Sequence, residues 1–422
     1  MVWPAGTEEG TKKTPTKPDP HLEALLQAFD QNYGSSAGAY IVRAPGRVNL
    51  VGDHIDYNGL SVFPMALERH LSILYRERDD RIVRIVSTDA QYPDREFELG
   101  QSIPAFDDGD WGNYAKAAGQ GLAKRFAIER GLDAVLHSDI PMAAGLSSSS
   151  ALVVASALAI LHANDVWADR MELAELLAET EHYVGTRGGG MDQAICLAAR
   201  KHSASRIDFH PLRLTAHLIP PEWHFVVAFS RVRAEKTGAA GEAYNSRTQE
   251  CRDALDRVIE AEGLADQADT YTALLATKSP SALLKVAKKS LDETSLRRFR
   301  HVLSEADRVR RAEKALTSYD LKGFGRLMSE SHRSLRDDFE VSCPELDEMA
   351  EIAEHAGAAG ARLTGAGLGG CIVALCADKR SKRVLKALTN RYYAKHEPEG
   401  EGELGEHLFV AEPSGGATVS AI

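Results

Sequence analysis

Four serines in a row, Ser147 to Ser150, follow Gly145 and, further back, Pro141. Behind them the chain turns apolar and alanine-rich as far as Leu161. Gly145 lets the backbone turn where a side chain would clash, and a serine at the junction suits a helix N-cap. Such a loop, feeding the start of a buried helix, offers free N–H groups and the positive dipole end to an anion, which makes it a site for phosphate. An ordinary capped core helix needs one serine, not four. A second group, Arg47, Asp53, His54 and Asp56, lies within ten residues flanked by Gly46, Gly52 and Gly59. Its plain reading is a solvated turn with Asn58-Gly59 at the tip. Its chemical reading is a polyol pocket, where carboxylates and an imidazole exchange hydrogen bonds with vicinal hydroxyls. The third group is Asp192, two residues after Gly188-Gly189-Gly190. It suits a helix N-cap, and it is also a single carboxylate opened to a ligand by three residues without side chains.

The elements that must position these groups mix strand and helix. Tyr40–Ala44 reads as a strand, with the polar motif 44–59 after it. Ser61–Leu67, His70–Arg76, Arg81–Ser87 and Leu132–His137 read as further strands. Trp111–Glu129 has helical spacing, as do the stretch after the serines and Met171–Tyr183. Ser205–Phe209 and His224–Ser230 are strand-like, and the segment His210–Trp223 between them reads as a crossing between domains. Ala239–Glu354 is mostly helical by period, broken at Gly263, Pro280 and Pro344. Residues 362–375 read as strand, glycine loop and strand, followed by a helix (Ser381–Tyr393) and a last strand (His407–Val410). His21–Tyr33 is a short amphipathic helix, and residues 1–20 form a disordered leader by composition. Gly365, Gly367 and Gly370 match G-x-G-x-x-G, but a strand follows them where a dinucleotide fold requires a helix, so a hairpin-like loop that approaches a ligand closely, or packs against another backbone, fits better.

At 422 residues the chain is long enough for two domains. A net charge of −11 argues against a nucleic-acid or anionic-membrane surface, but not against a nucleotide held locally. No apolar run reaches membrane-spanning length, and no apolar signal core opens the chain. Five scattered cysteines without a CxxC pair suit reduced thiols in the cytoplasm.

Taken together these motifs resemble the GHMP small-molecule kinases, and within them the galactokinase and N-acetylgalactosamine kinase family. The resemblance covers nearly the whole chain from about residue 40. It rests on Ala44–Gly59, Pro141–Leu152, Gly185–Gln193, Ser342–Asp347 and Arg362–Cys371. It implies an α/β (α+β) fold of two domains, here 21–215 and 216–422, with the active site in the cleft between them. It implies ATP and Mg2+ as cofactors and transfer of the γ-phosphoryl to the C1 hydroxyl of galactose or a relative. Asp192 would be the base or orienting group and Arg47 its charge partner. Asp53, His54, Asp56, Gly189 and Tyr244 would touch the sugar. Gly145, Ser147, Ser148 and Ser149 would hold the triphosphate, and Trp111 and Tyr114 the adenine. Magnesium would sit on Ser148 and Glu181, with Glu179 as the alternative. A monomer is expected, with no nucleic-acid or membrane partner. The family usually has glutamate where this chain has Asp53, which shortens the reach by about 1.5 Å. A water, or a sugar altered at C6, would fill that gap. The Gly185–Gln193 and Ser342–Asp347 wording leans toward the N-acetylgalactosamine branch. A catalytically inactive sugar and ATP sensor, and a kinase of mevalonate or homoserine, are the other readings. Intact Ser147–Ser150 and Asp192 oppose the first, and the polar cluster at 53–56 opposes the second.

Overall fold

The computed structural model describes residues 20–185, 188–234, 239–396 and 404–422. The leader, save Pro20, lies outside the described residues, as do positions 186 and 187 of the second glycine loop.

The chain opens with helix α1 (Pro20–Tyr33), then strands β1 (Tyr40–Val51), β2 (Phe63–Glu77), β3 (Ile82–Ser87) and β4 (Arg95–Glu98). Helix α2 (Gly112–Arg125), strand β5 (Leu132–Ser138) and helices α3 (Ser148–Ala163), α4 (Arg170–Thr180) and α5 (Met191–Ala198) follow. Next come β6 (Ser203–Asp208), β7 (Arg213–Leu218) and β8 (Trp223–Phe229). A helical stretch holds α6 (Ala239–Glu262), α7 (Tyr271–Thr277), α8 (Pro280–Ser290), α9 (Glu293–Thr317), α10 (Leu321–Asp337) and α11 (Pro344–His355). Strands β9 (Gly360–Thr364) and β10 (Cys371–Ala377), helix α12 (Asp378–Leu388), and strands β11 (Leu408–Ala411) and β12 (Thr418–Ala421) complete the described elements used below.

Six strands form one sheet in the order β12-β1-β2-β5-β3-β4, and four form another in the order β11-β8-β10-β9. All of β1 after its first residue is buried but for Arg43, which fits a central strand covered on both faces. The strand does not stop at Ala44. It runs through Pro45 to Val51, so half of the polar motif is strand rather than loop. Proline is tolerated because the ladder shifts register between Pro45 and Arg47. That irregularity falls opposite residues 66–70, so the two strands expected at 61–67 and 70–76 are one strand, β2, with a bulge.

Helix α3 packs on β1, β2, α2 and α5. Nearly every residue from Ser150 onward is buried, and its alanines allow that close approach. Residues expected to cross between domains contain β7, which pairs antiparallel with β6. The final strand, β12, pairs with β1 and so returns to the first sheet. Both sheets contribute to one continuous apolar core, and α1 covers a smaller cluster around Leu25, Phe29 and Val135. Among the described residues no helix is long and apolar enough to cross a membrane.

Candidate active site

Arg47 leaves the buried strand β1 and is only 4% exposed. Its Nε donates to Asp192 Oδ1 at 2.7 Å and its Nη2 to Oδ2 at 3.0 Å. Its Nη1 donates to the Gly145 carbonyl at 2.6 Å. Burial by itself pushes this guanidinium down, but the Asp192 carboxylate, with Asp53 and Asp56 behind it, more than offsets that and raises it. Asp192 stands in the first turn of α5, whose N-cap is not the aspartate but Gly190, at φ 93°. Ser147 occupies the N-cap position of α3, yet its hydroxyl makes no capping bond. It donates instead to Asp192 Oδ2 at 2.5 Å. The serine loop and the lone carboxylate therefore meet at one point.

The turn after β1 is buried rather than solvated. The Asp53 carboxylate accepts from Asn49 Nδ2 at 2.9 Å, from the fully buried Arg362, and from the Gly365 N–H at 3.3 Å. His54 Nε2 faces the Ala366 carbonyl at 3.1 Å, so that nitrogen carries the hydrogen, and Nδ1 accepts from the Tyr57 hydroxyl at 3.0 Å. Burial pushes this imidazole down to about 3, which keeps it neutral. Its ring packs against Tyr244 and Phe339, at centroid distances of 5.5 and 4.8 Å. Asp56 accepts from the Gly189 N–H at 3.2 Å. Burial first, and the Asp192 charge second, push the Asp56 carboxyl up to about 6.

Helix α9 grips this turn from the other side. Glu305, fully buried, accepts from the Gly52 N–H at 2.8 Å, from Arg308 Nε at 2.6 Å and from the Ser331 hydroxyl. His301 donates from Nε2 to the Asp53 carbonyl at 3.1 Å. No sequence motif marked Glu305 or His301, and Asn49 and Arg362, although inside quoted motifs, had no role assigned. Their available signal was a polar or charged residue inside an apolar, buried strand.

The loop Gly365–Gly370 joins β9 to β10 and packs on the serine loop. A Cβ on Gly365 would meet the Gly145 carbonyl oxygen at 2.6 Å, and one on Gly370 the Ala144 carbonyl oxygen at 2.9 Å. Gly365 and Gly370 thus serve a close approach of two backbones, one of the two roles their sequence context suggested, and Gly365 and Gly367 also line a cavity.

Two cavities adjoin at Arg47, Ala234 and Ala366. One is lined by Asp56, Glu181, Gly189, Asp192 and Tyr244, and Asp53 and His54 also reach it. The other, about 820 Å³, is lined by Gly145, Ser147, Ser148, Ser149, Trp111 and Tyr114. Trp111 is held there by its Nε1–H to the Pro93 carbonyl, 3.1 Å away. Glu181 is buried and accepts from the Ser150 hydroxyl at 2.7 Å. Ser148 lines the larger cavity. Glu179 is exposed and lines a different groove, between α2 and α4. Among the described residues no cluster of three or more His, Cys, Asp or Glu side chains forms a protein-only metal cage. Mg2+ requires none, because it keeps several waters and binds through one or two carboxylates plus substrate phosphates. Glu181 offers such a carboxylate, buried beside the Ser150 hydroxyl, and Ser148 lies two residues from that hydroxyl. Ser342 and Asp347 bond to each other at 2.6 Å at the start of α11, and neither lines these two cavities.

Three family descriptions match the chain. They are the galactokinase galactose-binding signature over residues 27–77, the GHMP kinase N-terminal domain over 113–200 and the GHMP kinase C-terminal domain over 312–395. A galactokinase of Roseiflexus sp. (strain RS-1) is 40% identical over 354 residues, which is 83% of this chain and 86% of that one. The structure of Lactococcus lactis galactokinase complexed with galactose matches with a TM-score of 0.82 at 30% identity, covering 94% of this chain and 99% of that one. The mevalonate kinase of Methanococcus jannaschii shares the fold, with a TM-score of 0.57 at 18% identity over 89% of this chain and 98% of its own. The chain belongs to the galactokinase family of the GHMP kinases.

Proposed function

We propose that the protein transfers the γ-phosphoryl group of ATP to the C1 hydroxyl of galactose. The observation that carries this reading is the meeting of Ser147, Arg47 and Asp192 where the two cavities adjoin. The larger cavity takes the nucleotide, with Trp111 and Tyr114 on the adenine side and Gly145, Ser148 and Ser149 along the phosphates. The first-turn N–H groups of α3 lack intrahelical partners and suit that anion. The smaller cavity takes the sugar against Asp53, His54, Asp56, Gly189 and Tyr244.

Phosphoryl transfer passes through a loose transition state, so positioning and charge neutralisation supply most of the catalysis. Asp192 orients the C1 hydroxyl and receives its proton as the oxygen bonds to phosphorus and ADP departs. Arg47 keeps that carboxylate ionised and offsets charge on the transferring group. Glu181 and Ser148 would hold Mg2+, which neutralises phosphate charge when bound. The exposed position of Glu179 disfavours it for that task. The halves 21–215 and 216–422 would supply the two sides of the cleft. A cytoplasmic monomer completes the reading, consistent with five free cysteines, four of them buried.

An N-acetylated sugar gains no support from the triple glycine. A Cβ on Gly189 would sit 2.3 Å from backbone atoms of Asp56 and Tyr57, and Gly190 adopts φ 93°. Both glycines have packing reasons that do not involve the C2 substituent. The test is ADP release with Mg-ATP across galactose, N-acetylgalactosamine, L-arabinose and galacturonate. Galactose should give the highest kcat/KM, and an absence of sugar-dependent ADP release would overturn the reading.

A further inference from the structure

We propose that Ser147 is a positioning residue for Asp192, holding its carboxylate ionised and aimed at the acceptor hydroxyl, rather than a ligand of the phosphates. This rests on the reading of Asp192 as the base or orienting group.

Three observations carry it. Ser147 sits at the N-cap of α3, where serine ordinarily bonds to a first-turn N–H, and it makes no such bond. Its backbone is left-handed, at φ 63° and ψ 35°, a region sparsely populated by residues other than glycine. Serine in that conformation, with its capping bond forgone, needs another use for the hydroxyl. The hydroxyl is buried and donates to Asp192 Oδ2 at 2.5 Å.

The bond joins the N-cap of α3 to the first turn of α5, 45 positions apart in the chain. Arg47 closes the same ring, since it bonds to Asp192 through Nε and Nη2 and to the Gly145 carbonyl through Nη1. The carboxylate is thus fixed in plane by the arginine fork and tethered at Oδ2 by the serine. A hydrogen bond donated to a carboxylate favours its charged form. Other groups facing Asp192 include Asp56, Tyr244 of α6 and Cys196 of its own helix. None of them lies on the serine loop, so a change at Ser147 leaves them in place. In the reaction the C1 hydroxyl proton passes to Asp192 as that oxygen bonds to phosphorus, and the electron pair of the broken P–O bond leaves with ADP. Ser147 neither gains nor loses a proton overall.

Ser147→Gly is the decisive variant, because glycine accepts the left-handed backbone at no steric cost while the hydroxyl is lost. Ser147→Ala is the second variant, and thermal melting checks that both fold. The readout is kcat against pH with both substrates saturating, which reports the bound complex. Both variants should lose about tenfold or more in kcat, the factor carried by one charge-assisted hydrogen bond. The acid limb should move to higher pH by about one unit. An acid limb that stays in place, with or without a rise in the KM for ATP, overturns the proposal. Asp192→Ala separates the two levels. If its kcat stays within about tenfold of wild type, the base reading itself fails. If its kcat falls by about 100-fold or more and the Ser147 variants keep the wild-type limb, only the positioning role falls.

Discussion

Arg47 holds Asp192 by two parallel hydrogen bonds, across 145 positions of sequence and at the junction of two cavities. Neither residue can be removed without consequence for the other. Asp192→Ala should lower kcat by about 100-fold or more. It should also destabilise the fold, by up to about 3–5 kcal/mol, because the buried guanidinium loses its bidentate partner. ADP affinity measured by calorimetry should stay close to wild type. A kcat within about tenfold of wild type would remove Asp192 from the chemistry.

Asp56 gives a pH signature. Its carboxyl titrates near 6 in the folded chain against an ordinary 3.8. Between those values the native state holds the proton that the unfolded chain releases, so stability falls as pH rises through the window. Asp56→Asn should therefore be more stable than wild type at pH 7, by up to about 3 kcal/mol. The advantage should shrink to nothing near pH 4, while the KM for sugar rises. Melting curves across this range check it, and a stability difference that is flat with pH would contradict it.

Glu305 has the opposite sign. Burial pushes it up, but the nearby charge of Arg308, then of His301 and Arg362, with the Ser331 hydroxyl's hydrogen bond, prevails and holds it at about 2 against an ordinary 4.5. Its stabilisation is complete above about 4.5 and is lost as pH falls toward 2. Glu305→Ala strands Arg308, the Ser331 hydroxyl and the Gly52 N–H, at a cost of about 3–5 kcal/mol. Because Gly52 opens the turn that carries Asp53, His54 and Asp56, the KM for galactose should rise as well. Denaturant midpoints and sugar kinetics measure the two effects.

The two candidate glutamates are separable by substitution. Glu181→Gln should raise the Mg2+ concentration needed for half-maximal turnover by about tenfold or more, since magnesium sites depend on one or two carboxylates. Glu179→Gln, on an exposed face outside both cavities, should titrate as wild type. The reverse result would move the metal to the other residue.

Much of this site could be read from local sequence. The serine loop, the apolar helix behind it, Asp192 after its glycines and the cluster at 53–56 are each contained in a few neighbouring residues. What escaped depends on partners far along the chain. Arg362 meets Asp53 from 309 positions away, and Glu305 meets Gly52 from 253. No window of local sequence holds both members of either pair. Strand ends were obscured for a different reason. Pro45 reads as a terminator unless the register shift that accommodates it is known, and β4 and β12 are four residues each, too short for alternation to register. The N-cap roles given to the serines and to Asp192 were plausible by residue type. The structure gives those side chains to each other.

The shared wall formed by Arg47, Ala234 and Ala366 has a bearing on inhibitor design. The two cavities share these lining residues, so on the proposed reading a compound joining a hexose to adenosine through a short oligophosphate spacer would reach both without a long tether. Each end would hold the other at high effective concentration, and avidity would follow from the linkage itself. Such a conjugate would also discriminate among enzymes that share only the nucleotide half.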